Sequence, residues 1–471
     1  MKIELDSKLV RNTFLFVCLW STQVAFADSG VSASTSVAST SVSGAALVVS
    51  GSDENVHVIS PTEEIESSRL PTKFVYHINL DVEKPNQALI EVDTSLLETS
   101  YWSPARSLND ADPIELTCHN GQQTNSLPYE VTQSCDKVSW PITFANVPEL
   151  GLDASAQTNS YFPANKARKQ PWYLLTEWHS LPRINTEVSI EICFDENHCQ
   201  LMPKPSEAPL FMTFNMPNHE LSLYNQPLDL FTDVPSLLES QELWQPILEE
   251  QMGYLMGVFS AYRTKPWDLV AFGREVSAGN IGGAAGNRVF MTNVPLEDGK
   301  IQVGGIKHFL KISAHESLHF ISSVDSPIWL SESLAEYYAQ KSLVDTEYAF
   351  PDPVQIWRDK SVNMPVADTG LYLASEKVSQ QQLMQYYPLF YLKGTAFWLD
   401  LDLHLQRNQS SLDNYVSLLQ TKQNESNKQD TTNATNRDVT LPLAFVKAVS
   451  NVIGKSVFSQ LETRYLLSPV Q

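Results

Sequence analysis

Two histidines four residues apart, with a glutamate after the first, carry the clearest chemistry in this 471-residue chain. They form the string His315-Glu316-Ser317-Leu318-His319. On a helix, positions i and i+4 lie one turn apart on the same face. Both imidazoles then reach a single metal ion, and neutral imidazole nitrogens suit Zn²⁺. Glu316 is displaced around the helix, off the ligating face. It is placed to reach a water beside the metal, which is a general-base position. Thirteen residues past His319 comes Glu332, inside Trp329-Leu330-Ser331-Glu332-Ser333-Leu334-Ala335-Glu336-Tyr337. Its carboxylate completes a three-ligand set with one position open. Glu336, one turn on, is placed to accept the other ring N–H of a ligand histidine, which fixes the tautomer and raises ligand basicity. The first string alone is short enough to arise by chance on a surface helix. Two carboxylates one turn apart, at helix-turn-helix distance from it, make a solvated charge run the poorer account.

The elements that must hold these residues are legible too. Ile306, Phe309, Leu310, Ser313, Leu318 and Phe320 give a mostly apolar surface at roughly helical spacing. Gly304 and Gly305 precede that helix, and Ser322-Ser323 to Pro327 ends it. A second helix is expected from near Pro327, because proline suits a first helical turn.

These strings resemble the gluzincin metallopeptidases, and within them the M1 and M61 aminopeptidase families. The resemblance is carried by His315 to His319, by Trp329 to Tyr337, and by Phe390-Tyr391-Leu392-Lys393-Gly394. It is good over about residues 235 to 410 and loose before that. It implies that Tyr391 stabilises the tetrahedral intermediate, as a phenol O–H aimed at developing negative charge. It also implies a thermolysin-like, mainly helical catalytic domain behind an N-terminal β-domain. Two departures stand out. The loop from His319 to Glu332 is shorter than in typical M1 members. Gly282-Gly283-Ala284-Ala285-Gly286-Asn287 resembles the M61 stretch before the metal helix, but Ala285 stands where that stretch has a glutamate suited to a substrate's free amino terminus.

Composition bounds the rest. The chain is 42% hydrophobic and 18% charged, ample for a sizeable core in two or three domains. Its net charge is −22. Such a polyanion is a poor nucleic-acid binder, because it repels the phosphate backbone. Residues 1–27 read as a signal peptide, with Lys2, Lys8 and Arg11, an apolar run, and Ala25-Phe26-Ala27 as the cleavage pattern after Ala27. A periplasmic or secreted protein follows, with no transmembrane segment after signal removal. Four cysteines remain beyond the signal: Cys118, Cys135, Cys193 and Cys199. In an exported chain they suggest two disulfides. Proximity favours Cys118–Cys135 and Cys193–Cys199, although four cysteines allow three pairings. Of the histidines, only His315 and His319 show ligand spacing; His77, His119, His179, His198 and His404 read as ordinary residues.

An α+β multidomain chain is expected. Residues 28–68 are a Ser/Thr/Val/Gly/Ala-rich linker that cannot bury enough apolar area to order itself. Residues 69–225 alternate as strands, for example Phe74 to Val82, Ala88 to Val92 and Val188 to Phe194, and suggest a sandwich. Trp172, Tyr173, Trp178 and His179 read as core packing or an inter-domain contact. Residues 226–410 form the catalytic domain. Within it 235 to 265 is expected as helix, Trp267 to Phe272 and Asn287 to Thr292 as strands, and Gly279 to Gly286 as a turn. Either 287 to 292 or that turn should line the substrate cleft. Residues 380 to 420 are expected as helix. Residues 411–471 are a helical segment with a polar loop at 421–438.

The expected function is zinc-dependent hydrolysis of a peptide bond in a peptide or protein substrate, exo or endo undecided. His315, His319 and Glu332 hold Zn²⁺, Glu316 is the base, and Tyr391 shares the charge of the intermediate. Two alternatives stay open. One is an exported binding or scaffold protein that keeps the fold without catalysis. The other is a zinc hydrolase of non-peptide amides or esters.

Overall fold

The computed structural model describes residues 72–468 apart from 107–113, 167, 206, 224–225, 260–266, 323–325 and 420–438. The expected signal peptide, linker and polar loop at 421–438 lie outside the described residues.

Alternating sequence builds the N-terminal part. Lys73–Leu80 buries Phe74, Tyr76 and Ile78 on one face, and Gln87–Asp93 buries Ala88, Ile90 and Val92. They lie in a seven-stranded sheet ordered His198–Leu201, Ser189–Asp195, Lys73–Leu80, Gln87–Asp93, Lys137–Thr143, Leu116–Asn120, Gln123–Leu127. The sheet is mixed, because Lys73–Leu80 pairs in parallel with Ser189–Asp195. A four-stranded sheet containing Ser160–Phe162, Trp172–Thr176 and Phe211–Phe214 shares one core with it. Tyr76, Trp102, Trp140, Tyr173 and Met212 meet there, so the sandwich-like reading holds. Both proximity pairings form as disulfides, Cys118–Cys135 and Cys193–Cys199. Tyr173 and Trp178 are buried, and Trp172 is half-buried with the Arg168 guanidinium 4.4 Å from its ring. That is packing, as expected.

A further sheet runs Asn218–Leu223, Gln226–Thr232, Asp268–Glu275, Val289–Glu297, Gly283–Ala285. Asp268–Glu275 lies at its centre, parallel to both neighbours. Its run Leu269-Val270-Ala271-Phe272 is buried on both faces, as a covered parallel strand requires. Val270 and Phe272 meet Phe162, Leu174 and Phe211 of the N-terminal part, while Leu269 and Ala271 meet the helices. The two parts are thereby packed across one sheet.

The structure corrects the expectation for the glycine-rich stretch. Gly283–Ala285 is a strand, antiparallel to Val289–Glu297, and forms the sheet edge. Val289, Phe290 and Met291 are interior, so the edge belongs to the stretch before them. The helical expectations also change in extent. Helix covers Pro235–Glu239 and Gln241–Val258 rather than all of 235 to 265, of which 260–266 is outside the described residues. The helix expected over 380 to 420 is Thr395–Arg407, entered by a π-helical turn at Phe390–Gly394. It ends where Gln409 takes a positive φ of 58°, and only short 3₁₀ turns follow. Helices Pro353–Ser361 and Leu371–Gln381 were not expected; the first begins at an Asp352 cap that accepts from Val354 and Gln355 N–H, with Pro353 in its first turn. The C-terminal residues form helices Leu443–Ile453 and Lys455–Leu461. No helix among the described residues is long and apolar enough to cross a membrane.

Asp233 joins the strand Gln226–Thr232 to this helical region. Its Oδ1 accepts from Gly273 N–H at 2.8 Å. Burial pushes its carboxyl up to about 6, against the Gly273 bond and the Arg168 charge. A carboxyl raised in the folded state stabilises fully below its ordinary range, and that contribution is lost as pH rises through 6. Asn at this position keeps the acceptor without the charge. Asp233→Asn should therefore stabilise the protein by about 1–2 kcal/mol at pH 8, allowing for the part of the side chain that water still reaches, and not below pH 4. Denaturant unfolding at the two pH values measures the difference.

Candidate metal centre and active site

Two packed helices build the site. The histidine helix, Val303–Ile321, buries Ile306, Phe309, Leu310, Ala314 and Leu318 against the sheet and Gln241–Val258. The carboxylate helix, Ile328–Lys341, starts directly after Pro327 and is buried almost throughout from Trp329 to Ala339. Trp329 anchors its first turn, stacked on Trp398 and donating from Nε1 to Val439 O at 2.8 Å. A second anchor is the close approach of Gly394, where a Cβ would lie 2.3 Å from Ser333 Cβ. Only glycine lets the turn carrying Tyr391 press onto the carboxylate helix this closely.

These contacts bring the expected ligands together. His315 Nε2 and His319 Nε2 are 3.3 Å apart. Glu332 Oε2 is 3.4 Å from His315 Nε2, and Glu332 Oε1 is 3.8 Å from His319 Nε2. Two ligands about 2.0–2.1 Å from one tetrahedral zinc stand about 3.3–3.4 Å apart. The three side chains thus converge close to the spacing that a single Zn²⁺ requires, with the His319–Glu332 separation the widest. The other compact group of metal-type ligands among the described residues, Glu191 with Cys193 and Cys199, has both sulfurs tied in a disulfide.

Charge agrees with geometry. Glu316, Glu332 and Glu336 are all buried, Glu332 completely. Lys311 Nζ meets Glu336 Oε1 at 2.8 Å. With neutral imidazoles these four side chains sum to −2, a deficit that a divalent cation balances. Without one, buried carboxylates draw protons onto histidine. Burial alone would depress His315, but the facing Glu332 and Glu336 carboxylates outweigh it and push the ring up to about 10. Burial takes His319 down to about 4, aided by the adjacent His315 charge. Burial would raise both carboxylates. The histidine charges and the Tyr391 bond instead hold Glu332 at about 2, and Lys311 and His315 hold Glu336 lower still. One imidazolium shared between facing carboxylates is the physical content of these shifts.

The remaining expected residues surround the ligands. His315 Nδ1 lies 3.3 Å from Glu336 Oε2, although the ring N–H is not aligned for a hydrogen bond. Tyr391 Oη donates to Glu332 Oε2 at 2.5 Å, and its ring stacks on His315 at 5.6 Å. Glu316 faces the edge strand: a Cβ on Gly283 would lie 2.9 Å from Glu316 Cγ and 2.8 Å from Ile312 Cγ2. Gly283→Ala should displace the Glu316 carboxylate and cut turnover about tenfold or more with zinc retained; kcat and zinc content of the purified variant test this. Two contacts went unread in the sequence. Ser331 Oγ lies 3.3 Å from His319 Nδ1, and Lys311 pairs with Glu336. Lys311 had a signal, since it stands one helical turn before His315.

No family model matches the sequence, and no curated protein matches it. Among solved structures, the crystal structure of an aminopeptidase N family protein from Idiomarina loihiensis is similar, with a TM-score of 0.51 and 10% sequence identity over 72% of this chain and 68% of that one. At that identity the likeness is one of fold. Fold and ligand geometry together are those of a gluzincin-like metallopeptidase in general, and the arrangement matches a zinc hydrolase that works through a metal-activated water.

Proposed function

We propose that this chain is an exported zinc metallopeptidase related to the M1 and M61 families, cleaving peptide bonds with His315, His319 and Glu332 as metal ligands. The observation that carries the reading is the convergence of three ligand side chains, His315 and Glu332 buried and His319 half-buried, with ligand atoms 3.3 to 3.8 Å apart. When bound, the ion supplies a Lewis acid that polarises the scissile carbonyl and makes water acidic enough to attack near neutral pH.

The protein's own groups do the rest. Glu316 takes a proton from the attacking water at its carboxylate and delivers it to the leaving amine nitrogen. Tyr391 Oη turns from Glu332 to the substrate carbonyl oxygen as negative charge gathers there. Glu336 and Ser331 orient the two imidazoles so that their Nε2 lone pairs point inward. Buried walls keep other water away from the base. An extended peptide adds to the sheet edge at Gly283–Ala285. The domain division set out above belongs to the same reading: signal peptide, linker, β-rich part, catalytic part, helical tail. Two disulfides support an oxidising compartment, and with it the periplasmic or secreted location.

The test is mass spectrometry of a mixed peptide library, half of it acetylated at the amino end, incubated with zinc-loaded protein. Ladders that shorten by one residue from free amino ends mark an aminopeptidase. Internal cuts in acetylated peptides mark an endopeptidase. A library left intact would overturn the peptidase reading.

A further inference from the structure

We propose that Lys311 is a positioning residue for the metal centre: by holding one oxygen of Glu336 it leaves the other for His315. The proposal rests on the zinc reading above and extends it by a residue. Lys307, Lys311, His315 and His319 occupy successive turns on one face of the histidine helix. Glu332, Glu336 and Gln340 do the same on the carboxylate helix. The two rows meet rung by rung. His315 and His319 face Glu332, at 3.4 and 3.8 Å. His315 and Lys311 then face Glu336, at 3.3 and 2.8 Å.

The two oxygens of Glu336 have different neighbours. Oε1 accepts from Lys311 Nζ and from Gln340 Nε2, each at 2.8 Å. Oε2 faces His315 Nδ1. An ammonium and an amide on one oxygen fix the rotation of the carboxylate, and that rotation presents the second oxygen to the imidazole. The pair is largely out of water, with the Lys311 side chain 18% exposed and that of Glu336 6%. A charge pair so placed escapes most salt screening. Lys307, one rung further, has other work: it donates to Ala349 O at 2.7 Å and covers the Phe350 ring at 4.3 Å. Removing the Lys311 charge leaves Oε1 with one neutral donor. Glu336 then turns, and the His315 ring loses the carboxylate that faces its Nδ1 and favours a proton there.

The experiment is zinc affinity by competition with a chromophoric chelator, for wild type, Lys311→Met, Lys311→Gln, Lys311→Arg and Lys307→Met. Thermal unfolding of each metal-free variant is run beside it. Both neutral variants at 311 should bind zinc about 10–100-fold more weakly. Lys311→Arg should recover most of the affinity, because a guanidinium donates to the same carboxylate. Lys307→Met should bind as wild type does. A Lys311→Met or Lys311→Gln protein that binds zinc like wild type overturns the proposal. So does a Lys307→Met protein that weakens as much, since the effect would then belong to the helix. Should Lys311→Met not fold, Lys311→Gln, which keeps a polar head on the stem, decides. A wild-type protein that binds no zinc is a separate result: it removes the metal centre itself.

Discussion

Glu316→Gln should lower peptide turnover by about two to four orders of magnitude while zinc stays bound. The amide has nearly the volume of the carboxylate, so packing against Gly283 and Ile312 is kept. The charge and the proton acceptor are lost. Glu316 is displaced from the ligating face, and the three converging atoms come from His315, His319 and Glu332. Metal content should therefore not change. The split between retained zinc and lost kcat is what distinguishes a base from a ligand or a packing residue. Near-normal kcat in a pure Glu316→Gln sample would remove Glu316 from the mechanism.

His315→Ala should instead remove the metal and activity together. His315 is the node of the site: its Nε2 meets both His319 and Glu332, its Nδ1 faces Glu336, and its ring stacks under Tyr391. Truncation deletes one of the proposed ligands and takes the imidazole away from two buried carboxylates, leaving Glu336 its Lys311 partner and Glu332 its Tyr391 bond. Breaking a buried charge pair from one side costs about 3–5 kcal/mol. The variant should lose zinc on dialysis, fall in turnover at least as far as Glu316→Gln, and unfold at lower denaturant. The measurement is zinc content beside a denaturant titration. Zinc retained at wild-type affinity would contradict the ligand assignment.

Both variants fall on residues that the sequence makes legible. A four-residue repeat along one helix face is a local property, so His315, Glu316 and His319 could be read directly, and Glu332 with Glu336 followed from the same periodicity. The paired disulfides were legible because short separation in the chain favours closure. Sheet order was not, since the parallel pairing of Lys73–His77 with Ser189–Cys193 joins segments more than a hundred residues apart and leaves no local pattern. The strand Gly283–Ala285 read as a turn because glycine and alanine carry no alternation of apolar and polar side chains. Its reason lies across the sheet edge, where only a missing Cβ admits Glu316 and Ile312. The role of Lys311 is hidden for a different reason: a lysine on a helix ordinarily reads as a solvated charge, and its partner Glu336 comes from another helix. The helix at Leu371–Gln381 follows Gly370 without a side-chain cap, a weak start signal.

The most direct measurement is a zinc titration of metal-free protein followed by peptide hydrolysis at each point. Turnover should be absent at the start, rise with added zinc and saturate at one ion per chain, with no rise in His315→Ala. Turnover that survives a strong chelator, or a chain that takes up one zinc ion and hydrolyses no peptide, would contradict the assignment of His315, Glu316, His319 and Glu332 as a peptide-cleaving zinc centre.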